Sequence, residues 1–203
     1  MATMTKTRPR FGPADHGRRV TDRVATTAEY VEGFNYEVID GRLHVSPRQE
    51  VAESVLENWL YAVLMKYADR WSKVIGYLTP KARVFVPDAA RTMAPEPDLT
   101  AYTTFPDYDT ITSWKQISPF LVVGILSENN VEKQLGRNPN LYLRVPSIQE
   151  YWVVNGAENP DEPSLIHYVR RGKRWAVTTH PFGATFTPKV LPGFSLVIDP
   201  RRR

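Results

Sequence analysis

The chain contains no cysteine, which excludes disulfides and thiolate metal centres and fits a reducing cytoplasm. It has no apolar run near the ~18 residues that would cross a bilayer, and its N-terminus lacks the apolar stretch of a secretory signal. A cytoplasmic protein without a membrane partner is therefore expected. The four histidines, His16, His44, His167 and His180, show no metal-ligand spacing. There is no glycine-rich phosphate loop, since Gly172 and Gly183 read as ordinary turn residues. Internal repeats and low-complexity blocks are also lacking.

What remains is an ordinary globular composition, 42% hydrophobic and 11% aromatic, over 203 residues, enough for one domain with a full core. The net charge of +4 is unevenly placed. Residues 1–24 hold six basic side chains (Lys6, Arg8, Arg10, Arg18, Arg19, Arg23) against Asp15 and Asp22, and the chain ends in Arg201-Arg202-Arg203. Setting both ends aside leaves 17 Lys and Arg against 20 Asp and Glu. The expected organisation is a basic, disordered arm over 1–24, a single domain over 25–200 and a basic tail over 201–203. Basic arms of this kind can neutralise phosphates, and the cluster Arg170-Arg171-Gly172-Lys173-Arg174 between Tyr168 and Trp175 is a second candidate for phosphate contact.

Asp40-Gly41 between two short alternating runs predicts a hairpin over 36–45, because a type I′ turn needs positive φ at both central residues. Ser46, Pro47 and Gln49 suit a helix start, and apolar residues from Val51 to Tyr67 recur at helical spacing. Short strands are expected near 73–78, 81–87 and 98–103. The run Pro119–Ser127 is apolar without alternation, as for a strand covered on both faces. A helix over 130–144 is interrupted by Gly136 and Pro139, a strand follows at 150–155, and a closing hairpin pairs 165–169 with 174–178. This order predicts an α/β fold with N- and C-terminal β-hairpins.

Cleaving a phosphodiester with bound metal needs carboxylates converging on one cation. Asp98, held extended by Pro97 at a strand start, suits one such ligand.

The succession Tyr36–Leu43, Ser46-Pro47, Pro97-Asp98-Leu99, Val122-Val123-x-Ile125-Leu126-Ser127, Tyr142, Pro146-Ser147-Ile148 and Glu150–Val154 resembles the Uma-two family, restriction endonucleases of the PD-(D/E)XK nuclease superfamily, over about residues 25–200. The resemblance implies a restriction-endonuclease-like mixed central sheet flanked by helices. It also implies DNA as partner, and Mg2+ or Mn2+ held on adjacent strands. The family's aspartate falls on Asp98 and its glutamate on Gly124. Lys133 is the lysine of the following helix, where Gln134 stands in place of a common aspartate. Glu53 or Glu57 could face the site from the first helix, and Glu128 could replace the missing ligand from the loop. The expected catalytic set is therefore Asp98, Lys133, Glu53 and Glu128, with Asp98 and Glu128 as metal ligands. Because glycine offers no carboxylate, the resemblance implies an endonuclease impaired at its metal site. Two alternatives stay open: a pseudonuclease that binds DNA or a protein partner without cutting, and a homodimeric scaffold.

Overall fold

The structure is a computed structural model that describes residues 8–47, 50–87, 94–105, 109–110 and 113–202. The chain divides into two compact units, Met1–Arg48 with Asp88–Pro95, and Gln49–Pro87 with Glu96–Arg203.

In the first unit, β1 (Arg10–Phe11) runs parallel to β2 (Glu29–Tyr30), with α1 (Asp22–Thr27) between them. Thr21 caps α1 by accepting a hydrogen bond from the Val24 amide. The hairpin β3 (Phe34–Ile39) and β4 (Arg42–Pro47) turns through Asp40 and Gly41 at φ 49° and 73°, the left-handed pair that the Asp-Gly step predicts. Phe11, Val20, Ala25, Val38 and Leu43 form the core of this unit. Charge alone reads residues 1–24 as a solvated arm, yet from residue 8 onward the described segment folds. Phe11 and Val20 are buried, and the Arg18 guanidinium pairs with Asp15 at 2.7 Å. Two apolar side chains set among the arginines decide this, because burying them outweighs leaving the segment in water.

The second unit carries a six-stranded sheet in the order β10-β9-β8-β7-β6-β5. The strands are β5 (Tyr77–Pro80), β6 (Leu99–Tyr102), β7 (Leu121–Leu126), β8 (Glu150–Asn155), β9 (Ser164–Arg171) and β10 (Arg174–His180). β7 and β8 are parallel and the other neighbours antiparallel, so the sheet is mixed. Parallel pairing demands a crossover. It is supplied by a π-helical turn, Glu132–Arg137, running into α3 (Asn138–Leu143). A short pair, β11 (Thr185–Phe186) and β12 (Leu196–Val197), closes the chain.

All six residues of β7 are buried, and their alternation is resolved by what covers each face. Leu121, Val123 and Ile125 join Leu56, Trp59, Leu60 and Leu64 of α2 (Val51–Arg70) in the main core. Gly124 faces Gln134 of the π turn and Tyr151 of β8. The helix α2 starts beyond the expected Ser46-Pro47 cap, which lies in β4. Glu50 is the N-cap, and the Glu53 carboxylate accepts the Glu50 amide at 2.7 Å. Gln49 lies outside the described residues. Val51 and Val55 fit the helical spacing but remain exposed, because the buried face takes Glu53 and Leu56 instead.

The strand expected at 81–87 does not form: Lys81 has φ 53°, and Ala82, Val84 and Val86 are buried alternately outside any described ladder. Pro139 does not break the helix. It sits in the first turn of α3, and the widened turn before it bonds the Asn138 amide back to Lys133, so the position lacking an N–H costs little. Among the described residues, no helix is long and apolar enough to cross a membrane.

Candidate functional site

β6 and β7 pair with Leu99 opposite Val123 and Thr100 opposite Val122, and Asp98, the residue before β6, bonds Val123 and Ile125 on either side of Gly124. The two positions singled out from sequence are thus neighbours on adjacent strands. The Asp98 amide donates to the Val123 carbonyl at 2.9 Å, which fixes the acid at the start of its strand.

Each carboxylate oxygen of Asp98 is met by nitrogen donors. Oδ2 accepts from the Ile125 amide at 2.6 Å and from Gln134 Nε2 at 3.3 Å. Oδ1 accepts from the Lys81 ammonium, which also bonds Glu57 Oε2 at 3.0 Å. Burial pulls the Lys81 pKa down, but the Asp98 and Glu57 carboxylates more than offset this and hold it above its ordinary value.

Gln134 is the centre of the network. Its side chain is 2% exposed. Its amide group donates to Asp98 and to the Ile125 carbonyl at 3.3 Å. Its oxygen accepts from the Tyr151 hydroxyl at 2.6 Å and from Asn138 Nδ2 at 3.2 Å. Burial, with the nearby Tyr142 phenol and the Asp98 charge, pushes the Tyr151 pKa well up, so its hydroxyl stays a donor. The arrangement fills the space beside Gly124. A Cβ at that position would lie 2.7 Å from Gln134 Cδ and 2.8 Å from the Tyr151 oxygen.

Glu53 is buried at the start of α2, where its Oε1 accepts from Asn130 Nδ2 at 2.9 Å. The same Asn130 nitrogen donates to the Ile125 carbonyl at 3.0 Å, so Glu53 reaches the end of β7 through one amide. Glu128 is exposed in a 3-10 turn, Glu128–Asn130, just beyond β7, and is not among the described partners of Asp98. Lys133 is half-buried on the π turn next to Gln134. The structure therefore brings Asp98, Gly124, Gln134, Lys81 and Glu57 together, with Glu53 linked through Asn130. Lys81 and Asn130 are not singled out from sequence: Lys81 opens the strand expected at 81–87, and Asn130 opens the helix expected over 130–144.

The residues present do not fit a divalent cation. Hard cations need several oxygen ligands. Here the Asp98 oxygens and the Ile125 carbonyl already accept N–H donors, and Gly124 contributes nothing. Among the described residues, no group of three or more His, Cys, Asp or Glu side chains is placed to hold a metal.

The second basic candidate is only partly a surface. Arg170 turns inward and donates to the carbonyls of Tyr142, Leu143, Val145 and Ile148, satisfying the end of α3, with its guanidinium 4.9 Å from the Trp175 ring. Trp175 in turn donates to the Pro139 carbonyl at 2.8 Å. Arg171, Lys173 and Arg174 at the hairpin tip are exposed. At the C-terminal end, Arg201 and Arg202 fold back on Asp199, at 2.8 and 3.6 Å.

The mixed six-stranded sheet, with the Asp98 carboxylate entering it beside the buried strand β7, is that of a nuclease-like fold. A crystal structure described as a putative nuclease belonging to DUF820, from Anabaena variabilis, is similar with a TM-score of 0.62 at 15% identity, covering 88% of this chain and 95% of that one. The family described as "Putative restriction endonuclease" (Uma2) matches residues 28–199, and the chain belongs to that family. No curated protein matches it.

Proposed function

We propose that this chain is a DNA-contacting member of its endonuclease family whose metal site is impaired, so that it engages nucleic acid without efficient cleavage. The observation that carries this reading is the Gln134 side chain seated beside Gly124, donating to Asp98 and to the Ile125 carbonyl where a cation would need free oxygens. Metal-dependent cleavage requires a cation that activates water and stabilises charge on phosphorus oxygens. A single strand-borne carboxylate, already bonded by nitrogen donors, is a poor anchor for Mg2+ or Mn2+. The exposed Arg171, Lys173 and Arg174 support DNA contact by charge. A chain without cysteine fits a cytoplasmic setting.

The test is plasmid nicking in Mg2+ and in Mn2+, with fluorescence anisotropy of labelled duplex over a salt series. The expected result is salt-dependent binding, with cleavage no greater than that of Asp98→Asn. Robust Mg2+-dependent cleavage abolished by Asp98→Asn would overturn the reading. It would return Glu128, Glu53 and Lys133 as catalytic partners. Absence of DNA binding, with a dimer in sedimentation, would favour a homodimeric scaffold instead.

A further inference from the structure

We propose that Lys81 is a built-in cation, its ammonium standing between Glu57 and Asp98 in the position that a divalent ion would otherwise take. The inference rests on the reading of an impaired metal site and adds what replaced the metal. Two carboxylates reach one point from separate elements, Glu57 from α2 and Asp98 from the start of β6. Without a cation between them their charges repel. The ammonium bonds both, so the pair is held together without metal.

The backbone supports a positional role. Lys81 has φ 53°, a left-handed conformation that costs a non-glycine residue about 1 kcal/mol or more. Its amide donates to the Asp98 carbonyl at 3.2 Å, so the same residue is tied to Asp98 through both main chain and side chain. A glycine or asparagine would take this conformation more readily, but neither would place a cation there.

The chemical consequence is specific. An ammonium carries one charge and three donors, and it has no open coordination position at which water could be activated. Two of its donors serve Glu57 and Asp98, while the side chain remains 44% exposed. Lys81 can therefore meet a phosphate oxygen of bound DNA as a point charge, with no divalent ion required.

The experiment measures Mn2+ binding by calorimetry and by thermal melting, with no DNA present. It compares the parent, Lys81→Met, Lys81→Arg and the double variant Lys81→Met with Asp98→Asn. The parent and Lys81→Arg should not respond to Mn2+. Lys81→Met should melt lower than the parent in chelator and gain on the order of 4 °C at tenfold its Kd. The double variant should lose that gain. A folded Lys81→Met that ignores Mn2+, or a parent that responds as strongly as Lys81→Met, would overturn the proposal.

If Lys81→Met does not fold, Lys81→Met with Glu57→Gln removes the repulsion along with the ammonium and should recover most of the lost melting temperature. No recovery would also overturn it. Cleavage by the parent would sink the impaired-site reading, whereas an Mn2+-insensitive Lys81→Met sinks only the built-in cation.

Discussion

Gln134 occupies the space that a side chain at Gly124 would need, its Cδ lying 2.7 Å from an ideal Cβ at that glycine. The two residues behave as one unit: the strand gives up a side chain and the crossover helix supplies one. The missing side chain at Gly124 and the Gln134 side chain beside it are therefore one packing feature.

Placing a carboxylate there by Gly124→Glu alone is expected to destabilise the protein by about 1–3 kcal/mol, as overpacking in a filled interior does. The neighbours that must give are the locked Gln134 amide and the rigid Tyr151 ring. Combining it with Gln134→Ala should regain part of that loss. Urea unfolding of the three proteins checks this, and equal stability of parent and Gly124→Glu would contradict it.

Arg170→Ala should lower stability by about 1.5–3 kcal/mol, the range for charge-assisted hydrogen bonds. The carbonyls of Tyr142, Leu143, Val145 and Ile148 lose the guanidinium, and only those of Tyr142 and Val145 keep a described backbone donor, from the Val145 and Ile148 amides. Lys173→Glu with Arg174→Glu, at the exposed tip, should change stability by no more than about 0.5 kcal/mol per substitution. That double variant should instead weaken DNA binding and flatten its salt dependence. Denaturation and anisotropy together separate the two roles.

Glu150 is buried and anchors the C-terminal segment. One oxygen accepts from His167 Nε2 and Trp152 Nε1, both at 2.8 Å, and the other accepts from the amides of Lys189 and Val190 at 3.0 and 3.3 Å. Glu150→Ala leaves all of these without an acceptor and should cost about 3–5 kcal/mol, read from the urea midpoint. A loss below ~1 kcal/mol would show that water replaces the carboxylate.

Stability should fall on acidification in two stages. Burial, with the charge of His167, lowers the His180 pKa below 6.5, and its Nε2 is buried with no hydrogen-bond partner among the described residues. The unfolded chain then takes up a proton that the fold resists, so stability present above pH 6.5 declines as pH drops below it. For Glu150, burial raises the pKa, but hydrogen bonds from His167 and Trp152 outweigh it and leave the pKa below 4.5. Its contribution is present above that value and is lost as pH falls through the folded pKa. Urea midpoints across this range should show both stages, and His180→Leu should flatten only the upper one.

Much of this molecule follows from local pattern. The Asp40-Gly41 turn, the amphipathic α2, the buried β7 and the closing hairpin are each set by residues near one another in the chain. Turn chemistry and side-chain periodicity act at that range. That Asp98 comes close to Gly124 follows the order of their motifs on consecutive strands, and Asp98 bonds the residues on either side of that glycine.

What sequence could not supply is whatever depends on side chains meeting across elements. Nothing local to Lys81 shows that its ammonium reaches Asp98 and Glu57, because the meeting needs α2 to lie beside the start of β6. Nothing local to Gln134 shows that it fills the space beside Gly124, since a π turn rather than a regular α-turn carries it there. Phe11 and Val20 likewise look like isolated apolar residues in a basic segment until a core exists to receive them. Periodicity and turn chemistry determined which elements form. The tertiary structure alone decided which charges are satisfied, because that depends on distances between residues far apart in the chain.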